Sequence, residues 1–172
     1  WHKAIELVDN LGPSIKKGYD TAVNKFSKDL LKIILFSIAT GTPPKGTGIN
    51  WEPHSPITTK KYGEHPIYYL TGTYYRAIGL FKYKDRTLVG LPRSKGRSSS
   101  GGITLGELAR ILEYGTSGRG GGKSSGTIPP RPLWNPAINA VGGKDRLRSM
   151  IIKNIRKQLY GFGIRANQVR WR

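Results

Sequence analysis

The chain has 172 residues, enough to bury the core of one domain, and it contains no cysteine. The absence of cysteine excludes disulfides and cysteine-based metal or redox sites. Lys and Arg number 29 against 10 Asp and Glu, and a net charge of +19 attracts phosphate polymers or acidic protein surfaces. A charge of this size indicates the kind of partner and not the fold.

The N-terminal quarter has the pattern of a long helix. In residues 1–11 apolar residues recur at helical spacing, and the Gly12-Pro13 pair is expected to end this first short helix. Apolar residues then recur at helical spacing again. This pattern predicts a long helix over residues 12–41, with Pro13 in its first turn and Gly41 as its stop.

The middle of the chain changes character twice. Residues 42–66 are rich in proline and glycine and are predicted to form an extended, irregular arm. Residues 67–91 are rich in aromatic and β-branched residues on both sides of a turn at Lys84-Asp85, which predicts a β-hairpin. Two basic Gly/Ser-rich stretches, 93–102 and 117–126, are predicted to be loops.

A second helical part follows the hairpin. Thr104 and Glu107 have the spacing of a capping box, and they predict a short helix over residues 103–115 that ends at Gly115. Residues 128–160 are predicted to contain a proline-rich extended segment, here called the strap (Ile128 to Pro136), and then a C-terminal helix.

The C-terminal helix is expected to be interrupted at Gly142-Gly143 and to be amphipathic. Its apolar stripe consists of Leu147, Ile151, Ile155 and Leu159, with basic residues on roughly the opposite face. Residues 161–172 are a basic tail. Together the elements predict one α+β domain over residues 1–172, in which a small antiparallel β-sheet packs with a long N-terminal helix and a C-terminal helix, with extended arms and Gly/Ser-rich loops.

Three local patterns could carry chemistry but lack its context. Residues 118–124 are similar to a phosphate loop, but the Walker spacing requires glycine where Ser117 stands. Residues 122–126 match G-x-S-x-G without the strand, turn and helix that a nucleophile elbow needs. His54 and His65 lie eleven residues apart with no helix to place them on one face, which favours exposed arm residues over a metal site. We expect no catalytic residue, no metal and no cofactor, and so no enzyme.

Two stretches of the chain resemble, in their order and spacing, the tail-completion proteins of tailed bacteriophages, also termed virion-morphogenesis or head–tail joining proteins. The first stretch contains W-E-P-H-S-P-I-T from Trp51 and P-I-Y-Y-L-T-G-T from Pro66. The second contains E-Y-G from Glu113 and I-P-P-R-P-L-W from Ile128. Members of the family typically show W-x-P-L-S-x-x-T, P-L-x-x-T-G-x-L, and E-[FY]-G followed by I-P-x-R-P-F. The chain departs from this pattern at several positions, His54 and Leu133 among them.

The resemblance implies an α+β fold and a structural role in the virion, with assembly in the host cytoplasm. It implies a tail-completion or neck component that forms a homo-oligomeric ring of six or twelve copies and joins the connector to the tail. The implied partners are further copies of itself, the connector or head-closure protein, the tail-terminator or tail-tube protein, and genomic DNA in a basic lumen, with no membrane. The alternative is a stand-alone, non-sequence-specific nucleic-acid-binding protein, because the charge suits both roles equally.

Two sets of residues are expected to contact partners. Loops and the C-terminal helix are expected to face DNA through charge alone, with Arg93, Lys95, Arg97, Arg119, Lys123, Arg146, Lys153, Arg156 and Lys157. Arms are expected to contact neighbouring subunits or partners, with Trp51, Pro53, Arg131, Trp134, Arg165, Arg170, Trp171 and Arg172. The prolines on both sides of Arg131 hold it extended, so that it either pairs with Glu113 within the fold or reaches across a subunit boundary.

Overall fold

The computed structural model describes residues 2–66, 68, 72–84, 86–92, 104–116 and 127–161. These residues form helices and one two-stranded antiparallel sheet, so the predicted α+β class is confirmed, with a long N-terminal and a C-terminal helix. The elements in chain order are α1 (His2–Thr40), α2 (Pro56–Tyr62), α3 (Thr73–Ala77), β1 (Gly79–Lys82), β2 (Thr87–Gly90), α4 (Leu105–Tyr114), α5 (Trp134–Ala140) and α6 (Gly143–Tyr160).

The single domain predicted over residues 1–172 divides into two compact units. One unit contains the chain up to Lys28 together with the part from Gly142 onward, and the other is Asp29–Val141. Each unit has its own buried side chains. None of the helices in the described ranges combines the length and the apolar character needed to cross a membrane.

The helix α1 runs unbroken through Gly12 and Pro13, so the expected break there is wrong, and the helix begins at His2. Proline removes one backbone hydrogen bond, and it normally pushes the preceding residue out of the helical region because its ring meets that residue's Cβ. Gly12 has no Cβ, so the ring of Pro13 meets no side chain at the preceding residue. The glycine therefore relieves part of the strain that Pro13 introduces.

The C-terminal end of α1 lies where the sequence predicts it. Gly41 has φ +67°, a left-handed conformation that favours glycine. The amide of Thr42 then donates to the carbonyl of Ser37 at 3.2 Å, the hydrogen bond that closes a Schellman motif.

In the first unit, α6 approaches the N-terminal part of α1 very closely. Ser14, Gly18 and Ala22 recur every four residues on one face of α1 and are buried. A Cβ at Gly18 would lie 2.8 Å from both the backbone N and the Cα of Ile155 in α6. The two backbones therefore meet at a distance that only glycine permits. The predicted apolar stripe of α6 also packs inward, since Ile155 and Leu159 are buried.

The core of the second unit combines one face of α1 with side chains from the loops, α3, α4 and α5. Ile34 and Ile38 are fully buried. They pack in one cluster with Trp51, Tyr68, Tyr74, Ile78, Leu105, Leu112, Leu133 and Ala137. Burial of a large apolar side chain contributes about 1.5–3 kcal/mol, so this cluster is a main source of the stability of the unit.

The segment 42–66 is not an extended arm throughout, because residues 56–62 form α2. The hydroxyl of Ser55 accepts the amide of Thr58 at 3.3 Å, and Pro56 occupies the first turn. A Ser-Pro pair is typical of a helix start, but the high proline content of the segment obscured this signal.

The β-hairpin is confined to residues 79–90, so the prediction of a hairpin over 67–91 is too long. Residues 73–77 form α3 instead, entered through Gly72 with φ +67°. In the hairpin, Gly79 lies opposite Gly90 and Lys82 opposite Thr87. Aromatic residues favour strands only through the packing they find, and here one helical turn buries Tyr74.

The last predicted elements are largely confirmed. The Thr104 hydroxyl accepts the amide of Glu107 at 3.2 Å, and the Glu107 carboxylate accepts the amide of Thr104 at 2.7 Å, which completes the capping box. The strap ends at Leu133, because α5 takes its last three residues. Gly142, with φ +96°, separates α5 from α6 at the predicted interruption.

Candidate functional site

The stretches that carry the family resemblance meet at the strap, inside the second unit. Trp51 is 8% exposed, and its indole N–H donates to the carbonyl of Pro132 at 3.0 Å. The buried phenol of Tyr68 donates to the carbonyl of Arg131. Burial raises the pKa of Tyr68, so the phenol stays protonated and remains a donor. Two successive carbonyls of the strap are thus bonded by aromatic side chains from the first stretch.

The side chain of Arg131 makes the reverse connection, because it extends from the strap to backbone groups of the segment that follows Trp51. Its Nε donates to the carbonyl of Glu52 at 2.9 Å, and one terminal nitrogen donates to the carbonyl of Pro53 at 3.1 Å. Its own amide donates to the carbonyl of Leu112 in α4 at 2.7 Å. Arg131 as a residue is 5% exposed, and burial lowers the pKa of its guanidinium from the ordinary value. A rigid fork of donors suits two neighbouring carbonyls, which a lysine could not bond in the same way.

Glu113, at the end of α4, holds the other end of the strap. One oxygen of its carboxylate accepts the amide of Leu133 at 2.8 Å and that of Trp134 at 3.3 Å. These amides open α5, whose cap residue Leu133 has no side-chain oxygen of its own. A negative charge at a helix N-terminus is also favourable electrostatically. Glu113 therefore caps α5 from a different helix.

Gly115, which directly follows α4, is required for two reasons. Its φ of +71° favours glycine, and its amide donates to the carbonyl of Ile111 at 2.8 Å. A Cβ at this position would lie 2.6 Å from the carbonyl oxygen of Ile128 and 2.9 Å from the nitrogen of Pro130. The strap can therefore pass α4 only beside a glycine.

The sequence left two roles open for Arg131, and the structure matches neither. Arg131 does not pair with Glu113, because each side chain bonds backbone groups instead. It is also buried within its own chain, as is Trp51, so these two side chains are not arms toward a neighbouring subunit. Trp134 is half-buried, and Pro53, although exposed, serves Arg131 through its carbonyl. The remaining predicted arm residues lie outside the described residues: Arg165, Arg170, Trp171 and Arg172.

We call this network, formed by Trp51, Tyr68, Glu113 and Arg131 with the strap, the lock. The hydrogen bonds described for these side chains all end on backbone carbonyls or amides. Within the described ranges, no group of three or more His, Asp or Glu side chains is placed to hold a metal ion. The sequence motifs are therefore explained by the fold itself.

The predicted DNA-facing residues that the structure describes lie on one exposed side of α6. Arg146, Lys153, Arg156 and Lys157 are all exposed. They share this side with Ser149 and Tyr160, because helix residues three, four and seven apart point the same way. The only acidic residue of the helix, Asp145, lies in its first turn. We call this surface the basic face of α6. The other predicted DNA-facing residues lie outside the described residues: Arg93, Lys95, Arg97, Arg119 and Lys123.

Comparison with known proteins adds no relative. No family model matches the chain, no curated protein matches it, and no solved structure matches it.

Sequence reasoning found the residues of the lock but not their partners. The sequence places Glu113 in the E-Y-G motif and as a possible partner of Arg131, and it predicts Trp51 and Arg131 as arm residues. One signal in the sequence points to the role of Glu113. The amides at a buried helix start near Leu133 need a hydrogen-bond acceptor, and few acidic residues in this chain could supply one. Tyr68 carried no signal beyond its aromatic neighbours.

Proposed function

We propose that this protein is a structural component of a tailed bacteriophage particle, a tail-completion or neck protein that joins the connector to the tail. The observation that supports the proposal is the meeting of the resembling stretches in one hydrogen-bonded lock. Trp51 comes from the first stretch, whereas Arg131 and Glu113 come from two different motifs of the second, and each bonds the strap or its neighbours. Because these motif residues depend on one another physically, they support the resemblance together and not as several independent short matches.

In this role the protein acts by assembly. The lock holds the strap and α5 in place, and copies of the chain form a closed ring of six or twelve. The ring contacts the connector or head-closure protein on one side and the tail-terminator or tail-tube protein on the other. The basic face of α6 faces DNA and attracts its phosphates without reading sequence, so that DNA is not held at preferred positions.

The decisive experiment quantifies this protein in purified virions by mass spectrometry, relative to the major capsid protein. The proposal expects a constant ratio equivalent to roughly six or twelve copies per particle, as a closed ring requires. A non-structural phage protein measured in the same sample controls for carry-over from the lysate. Absence of the protein from particles, at the level of that control, refutes the structural role.

One observation favours a second function, a stand-alone nucleic-acid-binding protein. The basic face of α6 presents four cations on one side of a helix with no acid beyond its first turn. Such a face binds phosphates whether or not the protein enters a particle. Salt dependence of binding does not separate the two functions, but copy number in the virion does.

A further inference from the structure

The structure brings together two histidines that the sequence separates. The rings of His54 and His65 lie with their centroids 4.3 Å apart, tilted by 56°. His54 precedes α2 and His65 follows it, so the contact between their rings brings the two ends of the α2 segment together. This contact corrects the expectation of two independent, exposed arm residues, since both histidines are half-buried.

The environment of the pair disfavours positive charge. Among the residues that the structure describes, neither Nε2 atom of the two buried ring edges has a hydrogen-bond partner. A ring nitrogen of His65 contacts the carbonyl of Pro66 at 3.0 Å. The guanidinium of Arg131 acts on His54 from the strap, and its positive charge adds to that of any protonated ring. The other charged or titratable groups around Arg131 are Glu52, whose carbonyl accepts its Nε, and the neutral phenol of Tyr68.

We propose that the His54–His65 pair is a pH-sensitive clasp that holds the α2 segment closed while the ring of His54 is neutral and releases it when that ring takes up a proton. Protonation of His54 would place a positive charge against the ring of His65 and near the guanidinium of Arg131. The outer bonds of the lock, from Trp51 to Pro132 and from Arg131 to Glu52, lie before His54 and are not part of the clasp. Opening is therefore confined to residues 54–65.

The direction of the pH dependence follows from the closed state. Burial lowers the pKa of His54, and the charges of His65 and Arg131 act in the same direction, against a smaller opposing effect of the Pro66 carbonyl. The open segment has the ordinary histidine pKa of about 6.5. The clasp is therefore at full strength above that value and weakens as the pH falls below it toward the pKa of the closed state.

A metal ion fits this pair less well than a clasp does. In the part of the chain that the structure describes, no third His, Asp or Glu joins the two rings, and Arg131 repels a cation.

The experiment measures hydrogen exchange of the full chain by mass spectrometry at pH 7.5 and pH 5.5, corrected for the intrinsic pH dependence of exchange. Opening that takes up one proton becomes about tenfold more populated for each pH unit within the window. We expect peptides covering Thr58 to Gly63 to lose protection by that factor, while peptides covering α4 keep theirs. Equal protection at both pH values overturns the proposal.

Matched variants separate the clasp from general acid destabilisation. H54Q/H65Q removes both rings of the clasp, and its exchange at Thr58 to Gly63 should no longer depend on pH. H2Q removes the third histidine of the chain and should behave as wild type. A pH response retained in H54Q/H65Q overturns the clasp. Protection of the wild-type segment that rises with added Zn²⁺ at pH 7.5, but not in H54Q/H65Q, replaces the clasp with a metal site.

Discussion

The carboxylate of Glu113 accepts the backbone amide of Leu133 at 2.8 Å, so that a side chain twenty residues earlier in the chain defines where α5 begins. The same oxygen accepts the amide of Trp134 at 3.3 Å. Glu113 and Arg131 are both buried, yet each charge is compensated by backbone dipoles and not by the other. Buried charges that bond the backbone fix the path of the chain, because removal of either leaves unpaired polar groups inside.

Substitution of Glu113 tests the cap that its carboxylate provides for α5. E113A should lower the free energy of unfolding by about 2–3 kcal/mol, because two buried amides lose their acceptor. E113Q keeps an acceptor oxygen without the charge and should cost about 1 kcal/mol. Urea denaturation followed by circular dichroism measures both. E64A, at an exposed site, is the control and should stay within about 0.5 kcal/mol of wild type. Equal losses in E113A and E113Q would argue against the cap.

Substitution of Arg131 by lysine tests whether the paired hydrogen bonds of the guanidinium contribute to stability. Lysine keeps the charge but cannot donate to the carbonyls of Glu52 and Pro53 together, so R131K should lower the free energy of unfolding by about 2 kcal/mol. R110K, on the exposed side of α4, makes the same chemical change without these contacts and should be neutral within about 0.5 kcal/mol. If R131K unfolds at the same urea concentration as R110K, a positive charge is enough to hold the Glu52 and Pro53 segment, and the two hydrogen bonds of the guanidinium are not needed.

Gly18 tests the close approach of α6 to α1. In G18A the new methyl group meets backbone atoms of Ile155, which cannot rotate away, and we expect a loss of about 1–3 kcal/mol. G106A is the matched control, since its Cβ would have 3.9 Å to the nearest atom. Alanine is the better helix former, so G106A should gain up to about 1 kcal/mol. Thermal unfolding of the two variants should therefore shift in opposite directions, and a stabilised G18A would contradict the described contact.

The basic face of α6 can be tested by two charge-reversal variants that have the same net charge as each other. K153E/R156E changes the basic face, whereas K144E/R148E makes the same change on exposed residues on another side of the helix. Fluorescence anisotropy with a random-sequence DNA duplex should show weaker binding for K153E/R156E. The slope of log affinity against log salt should fall by about 0.9 for each lost phosphate contact. Equal slopes for the two variants would show that the face has no special role.

Local signals in the sequence predicted several elements correctly. The capping box of Thr104 and Glu107, the stop at Gly41 and the interruption at Gly142 all depend on residues within one helical turn of each other. Local patterns gave wrong predictions where two local signals act against each other. Gly12 offsets the effect of Pro13, and the proline content around Ser55 obscured the start of α2.

The sequence by itself determined the net charge, the α+β class and the amphipathic character of α6, because these depend on composition and on short-range spacing. Only the tertiary structure decided the partners of Trp51, Arg131 and Glu113. Their hydrogen bonds join residues 81, 79 and 20 positions apart, and each ends on a backbone group. Every residue offers the same backbone groups, so no residue type in the sequence marks the receiving end. The contact between His54 and His65 was hidden for a related reason, since it depends on how the α2 segment folds back on itself.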